Sequence, residues 1–247
     1  MSGMAQTLSG LSGLDPRTVP ALPLPDLPPV PPERLTPAAL RARFRHPPAW
    51  SPEARQEARF PGQTPPRRAA VLMPLVARPT GLTVLLTERT ARLRSHAGQI
   101  AFPGGRADPQ DRDLTDTALR EAGEEVALPR GAAEVLGLLP SYVTGSRYDV
   151  TPVVALIVPG FTPRPNPDEV AHIFEAPLSF LMDPAHHRLH SFVQADNPDA
   201  PGRTHEWFSM PWHGPDATGG PPRDWFIWGA TARMLRDFYR FLAAQSG

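Results

Sequence analysis

The segment Arg120-Glu121-Ala122-Gly123-Glu124-Glu125 concentrates more chemistry than any other stretch of the chain. If it is helical, Glu121 and Glu125 lie one turn apart with Glu124 beside them, so three carboxylates share a face. Charges crowded in this way repel unless cations lie between them. Mg²⁺ and Mn²⁺ prefer carboxylate, phosphate and water oxygens in octahedral geometry, which suits such a face. The same six residues also suit a solvated helix surface, where adjacent glutamates are common. The residues upstream separate the two readings. Phe102-Pro103-Gly104-Gly105 and an acidic loop lead into the helix, and paired glycines let backbone approach a ligand closely.

The elements that must position these groups can be read from pattern. Thr115 to Leu128 has helical periodicity, with Ala118, Leu119, Ala122 and Val126 as its apolar stripe. Ala70 to Val76 reads as a buried strand and Thr83 to Thr87 as its partner, with Pro79-Thr80-Gly81 turning between them. Gln99 to Phe102, Val135 to Leu139 and Thr151 to Val158 are further expected strands. His190 to Val193 and Glu206 to Met210 are an expected pair. Pro177 to Met182 suggests a short helix, Pro211 to Pro222 a loop, and Trp225 to Ala244 a strand end feeding a C-terminal helix. Strands and helices in mixed order point to an α+β sandwich.

Of 34 prolines, 15 precede Arg67. Residues 1–35 are therefore expected to form a disordered tail, residues 36–66 a short helix and linker, and residues 67–247 the compact domain. Thr36 offers an N-cap with Pro37 at the first helical position, which predicts a helix over 37–45. Acidic and basic residues balance at 25 each, and every basic residue is Arg. A nucleic-acid or membrane-surface coat protein shows a basic excess, so neither partner is expected. No run approaches the apolar length of a membrane span. The absence of Cys excludes disulfides and thiolate metal sites. A cytoplasmic enzyme acting on a small molecule is the expectation.

Gly105 to Leu128 resembles the Nudix box, G-x5-E-x7-R-E-U-x-E-E-x-G-U, with U aliphatic. Arg120, Glu121, Glu124, Glu125 and Leu128 fall on its fixed positions and Ala122 on its first aliphatic one. The box's early Glu is here Asp111, the spacer to Arg120 is one residue longer, and the late Gly is Ala127. Upstream, Leu85-Leu86-Thr87-Glu88-Arg89-Thr90, Arg94, Gly98 and Phe102-Pro103-Gly104-Gly105 resemble L-L-T-x-R-[SA]-x3-R-x3-G-x3-F-P-G-G. That pattern marks the coenzyme A pyrophosphatases within the family. Thr90 departs from it mildly.

The resemblance implies a Nudix α/β/α sandwich with a mixed sheet. It also implies Mg²⁺- or Mn²⁺-dependent hydrolysis of coenzyme A to 4′-phosphopantetheine and 3′,5′-ADP. Glu121 and Glu125, with Glu124, would hold the metal. Arg120 would orient the carboxylates, and Glu169 would supply a further carboxylate as base or ligand. Without the resemblance, Glu169 reads equally well as a turn acid at a helix N-terminus. Arg89 and Arg94 would clamp the anionic substrate, and Gly98, Phe102, Gly104 and Gly105 would shape its site. A homodimer is compatible with the resemblance. Other substrates of the same fold remain open: ADP-ribose, a dinucleotide or an oxidised nucleotide. So does a non-catalytic nucleotide sensor, against which all three glutamates argue. His186, His187 and His190 lack an acid or Cys to complete a zinc set. Asp108, Asp111, Asp113 and Asp116 lack the Gly and terminal Glu of a calcium loop. His96 reads as polar surface, and core packing accounts for Trp225, Phe226 and Trp228.

Overall fold

The computed structural model describes residues 14–53, 65–91, 98–194, 203–217 and 219–245. In chain order the elements are β1 (Ala21–Leu22), α1 (Pro37–Arg45), β2 (Arg67–Arg78), β3 (Gly81–Arg89), β4 (Ile100–Ala101), β5 (Gly104–Arg106) and α2 (Leu114–Val126). They continue as β6 (Ala133–Leu138), β7 (Tyr142–Val143), β8 (Tyr148–Ile157), β9 (Val170–Pro177) and α3 (Leu178–Leu181). The chain ends with β10 (Arg188–Gln194), β11 (Arg203–Gly214), β12 (Arg223–Trp228) and α4 (Gly229–Ala243).

An eight-stranded sheet runs β4-β3-β2-β8-β6, with β5 on β2, β7 on β8 and β9 on β3. Strands β2 and β8 are parallel, while every other pairing is antiparallel. This is the mixed sheet expected. Strand β2 shows why its sequence is apolar throughout: Ala70, Leu72 and Val76 pack under α2, whereas Ala69, Met73 and Leu75 pack on the opposite face. A strand covered on both sides reads as a continuous hydrophobic run. The far face is closed by α4, α1 and a second, antiparallel sheet of order β1-β10-β11-β12. No described helix is long and apolar enough to cross a membrane.

Helix α1 spans the expected residues, and Thr36 Oγ1 accepts from Ala39 N–H at 3.2 Å. It belongs to the core, with Leu40 fully buried and Phe44 packed against Phe241. Residues 14–35, expected to be disordered, instead lie along the domain. Strand β1 pairs with β10, Val30 N–H donates to the Met182 carbonyl at 3.1 Å, and Tyr239 Oη donates to the Pro28 carbonyl at 2.8 Å. An extended Pro-rich chain has no internal hydrogen bonds, so its backbone groups are available to outside partners.

Two further differences concern strands. Strand β9 has no clean alternation because Ile173 and Phe174 are buried on opposite faces of the sheet, so pattern alone missed it. Pro211 to Gly214, expected to open a loop, continue β11. Beyond Ser209 that strand pairs with β12 alone, which leaves one side open and tolerates a proline.

Candidate active site on helix α2

Helix α2 begins where Asp113 accepts the Asp116 N–H at 2.8 Å. It stops at Ala127, which takes the left-handed conformation with φ 58° while Leu128 N–H reaches back to the Ala122 carbonyl. The box has Gly at this position, and the left-handed turn is why. Ala118, Ala122 and Val126 pack on the sheet, and that docking sets the height of the glutamates. Glu125 lies on the packed side and is only 2% exposed, Glu121 is half-buried, and the Glu124 side chain is 53% exposed.

The two glycines of strand β5 serve different neighbours. A Cβ on Gly104 would fall 2.5 Å from the Ala70 carbonyl oxygen and 2.6 Å from the Val71 Cα, so strand pairing forbids it. A Cβ on Gly105 would instead meet the Glu121 carboxylate at 2.6 Å. Gly104 N–H donates to Glu125 Oε2 at 3.3 Å. Sequence pattern predicts that the glycines admit a ligand; in the structure Gly105 makes room for the Glu121 carboxylate and Gly104 for the backbone of β2.

Arg120 is the hub of the polar network. Its Nε donates to Asp111 Oδ1 at 2.9 Å and its Nη2 to Asp111 Oδ2 at 3.1 Å. Its Nη1 stands 2.9 Å from Glu121 and 3.4 Å from Glu124, and Nη2 also donates to the Arg106 carbonyl. Asp111 accepts from Thr117 Oγ1 as well, at 2.8 Å. The bidentate guanidinium holds the Asp111 carboxyl well below the usual carboxylate range. The acid at the box's early position thus anchors Arg120, a role that spacing did not reveal.

Arg89 lies with Nη1 3.4 Å from Glu125 Oε1. The residue expected to grip substrate therefore faces the most buried glutamate of the helix. Its backbone is tied to the returning chain by the pair Arg89 N–H to Gln99 O and Gly98 N–H to Arg89 O, with Gly98 at φ 69°. Arg94 and His96 lie outside the described residues. Phe102 is buried in the core.

Glu169 joins the group from the far side of the sequence. Asn166 N–H donates to the Glu125 carbonyl at 2.9 Å, Glu169 N–H closes a turn on the Asn166 carbonyl, and Thr90 N–H donates to the Glu169 carbonyl at 2.9 Å. Its carboxylate acts electrostatically on both Glu121 and Glu125. Burial raises the Glu121 carboxyl above its ordinary range, with Arg120 opposing. Burial also pushes Glu125 up to about 8, opposed by Arg89 and reinforced by Glu121 and Glu169.

Among the described residues, no three acidic or imidazole groups are gathered into a ready-made metal cage. The glutamates are drawn to two arginines: Glu125 to Arg89, Glu121 to Arg120, and the more exposed Glu124 also to Arg120. The donor chemistry nevertheless fits a hard divalent cation. A nearly dry carboxylate faces one guanidinium at 3.4 Å and two further glutamates, a local excess of negative charge that a cation relieves.

The other candidate groups have structural uses. Asp116 pairs with Arg112 and Arg130, while Asp108 accepts from Gln110 N–H. His186 bonds the Phe180 carbonyl, and His187 stands between the Leu181 carbonyl and Arg236. His190 stands between the Val19 carbonyl and Ser209.

A model of the NUDIX domain matches residues 66–226. A Nudix hydrolase named NudL from Photorhabdus laumondii is 52% identical over 130 residues, 49% of this chain and 69% of that protein. NudL of Yersinia enterocolitica is 44% identical over 168 residues, 68% of this chain and 77% of that protein. A solved NUDIX hydrolase from Alicyclobacillus acidocaldarius is 20% identical with a TM-score of 0.41, over 50% of this chain and 85% of that one. With the family's domain spanning most of the chain and the mixed sheet, capped helix and glycine pair in place, this protein belongs to the Nudix family and is a hydrolase of diphosphate-containing substrates.

Proposed function

We propose that this protein hydrolyses the diphosphate of coenzyme A or its acyl derivatives, with Mg²⁺ or Mn²⁺ held by Glu121 and Glu125 and assisted by Glu124. A water oxygen bonds to one phosphorus and the bridging P–O bond breaks. The products are 4′-phosphopantetheine, or its acyl form, and 3′,5′-ADP. The observation that supports the chemistry is the placement of Glu121 against Gly105 and of the buried Glu125 against the Gly104 N–H. The choice of coenzyme A rests on the resemblance of residues 85–105 to the coenzyme A pyrophosphatase pattern.

A divalent cation at this face would neutralise phosphoryl charge and acidify a water. Arg120, braced by Asp111, positions Glu121 and Glu124. Arg89 balances Glu125 and stands where a diphosphate oxygen can compete for its guanidinium. Glu169, tied by its backbone through Asn166 to the end of α2, would supply the further carboxylate as base or ligand.

The test is phosphopantetheine release from coenzyme A with Mg²⁺, Mn²⁺ or EDTA, beside ADP-ribose. Metal-dependent release with coenzyme A preferred is the expected result. Equal or better cleavage of ADP-ribose overturns the substrate assignment while leaving the diphosphatase chemistry standing.

A further inference from the structure

The loop that leads to Glu169 alternates proline with polar residues, Pro163-Arg164-Pro165-Asn166-Pro167-Asp168. A residue that precedes proline is biased towards extended backbone, so Arg164 and Asn166 are both stiffened by their neighbours. In an extended chain the N–H groups of residues two apart point the same way. Here both meet the end of α2. Arg164 N–H donates to the Val126 carbonyl at 3.1 Å, and Asn166 N–H to the Glu125 carbonyl at 2.9 Å. These carbonyls belong to the last turn of the helix, which has no intrahelical donors for them. Pro163, Pro165 and Pro167 carry no N–H, so the loop strands no backbone donor between the two clips.

Asn166 then closes a turn of its own. Its Oδ1 accepts from Asp168 N–H at 3.2 Å, and its carbonyl accepts from Glu169 N–H at 3.0 Å and Val170 N–H at 2.8 Å. Asparagine turns of this kind are common on protein surfaces. What distinguishes this one is where its two ends are tied. One end is clipped to the carbonyl of Glu125 itself. At the other, Thr90 N–H donates to the Glu169 carbonyl at 2.9 Å, and Val170 pairs with Arg89 in the β3–β9 ladder. The backbone of Glu169 is thereby suspended between the helix that carries Glu125 and the strand that carries Arg89. Asn166 bonds to that helix and to the turn at once.

We propose that Asn166 is a positioning residue for the diphosphatase reaction: through its N–H and its Oδ1 it fixes the Glu169 backbone relative to the buried Glu125. The inference rests on the role given above to Glu169 as base or ligand. Asn166 acts only through that residue. Loosening the turn lets the carboxylate shift, and a displacement of about 1 Å at a reacting centre can cost about 100-fold in rate.

A double-mutant cycle reads this coupling. The quantity is kcat at saturating Mg²⁺ on coenzyme A, or on ADP-ribose if the parent cleaves that faster. Asn166→Ala is expected to lower kcat by about 10- to 100-fold in the parent, and to have little further effect once Glu169 is replaced by Gln. Asn166→Asp, which keeps the acceptor for Asp168 N–H, should recover most of the rate. Equal losses from Asn166→Ala in both backgrounds overturn the positioning role and leave Glu169 its own. Glu169→Gln at the parental rate removes the role of the carboxylate, and the inference with it. A second measurement needs no turnover: amide exchange followed by NMR in EDTA. In Asn166→Ala the amides of Asp168, Glu169 and Val170 should exchange about tenfold faster, while that of Arg164 stays protected on α2. Unchanged exchange at residues 168–170 shows that the side chain does not hold the turn, and refutes the proposal even if kcat falls. Acceleration that spreads to Arg164 and through α2 marks a general loss of stability and likewise overturns it.

Discussion

Gly105 leaves room for the carboxylate of Glu121: a Cβ added at that glycine would sit 2.6 Å from the Glu121 carboxyl carbon and from both of its oxygens. The obstructing group is the far end of a flexible side chain, so Gly105→Ala should be accommodated by moving the glutamate rather than the fold. Activity is expected to fall by about 100-fold with little change in melting temperature. Gly104→Ala, by contrast, meets backbone at 2.5 Å and should destabilise by about 1–3 kcal/mol or more. Thermal melts and kcat/KM on the two variants read this split. A Gly105→Ala enzyme of normal activity would show that Glu121 need not stay where it is.

Glu125→Gln should lower kcat by about 2–3 orders of magnitude, the usual scale for losing an electrostatic group at a reacting centre. Folding should survive, because the amide keeps the shape of the side chain and removes a charge that burial already disfavours. Steady-state kinetics at saturating Mg²⁺ and a urea midpoint check both halves. Turnover near that of the parent would refute a metal-holding role for this residue.

Stability should weaken in mild acid through His187. Burial lowers its pKa to about 4, whereas the unfolded chain titrates near 6.5. Between those values the unfolded state binds the proton more readily, so stability rises with pH and is lost as pH falls from about 6.5 towards 4. The loss is on the order of 3 kcal/mol once pH is below both values. In the neutral form, Nε2 donates to the Leu181 carbonyl and Nδ1 accepts from Arg236. His187→Gln should flatten this part of the stability curve, measured as urea midpoints from pH 7 to pH 4.5. An unchanged slope would assign the acid sensitivity to other groups.

Leu40 lies outside the matched family domain yet is fully buried with residues of the sheet and α4. Leu40→Ala should cost about 2–5 kcal/mol, as for any large core side chain cut to a methyl. The guanidinium groups of Arg34 and Arg43 also cap the Leu242 carbonyl at the end of α4. Removing residues 1–45 should therefore yield a protein that melts well below the full chain or does not fold. A truncated domain as stable as the parent would show that this segment merely rests on the surface.

Local chemistry was legible without coordinates wherever neighbours in sequence are neighbours in space. The cap Thr36-Pro37 and the helix it starts, the apolar strands, and the face carrying Glu121, Glu124 and Glu125 all follow from periods and caps spanning a few residues. The relationships that make those groups a site follow no period. Asp111 binding Arg120 across the turn into α2, Arg89 facing Glu125, and Glu169 brought in by a loop tied to the end of α2 all depend on contacts between separate elements. Residues 14–35 teach the same point, since a proline-dense stretch predicts an extended chain but not the carbonyls and strand edge that hold it. Residue types set which groups could carry charge, turn or pack. Long-range pairing of the strands set which of them meet, because a partner many residues away leaves no mark on the pattern of either segment.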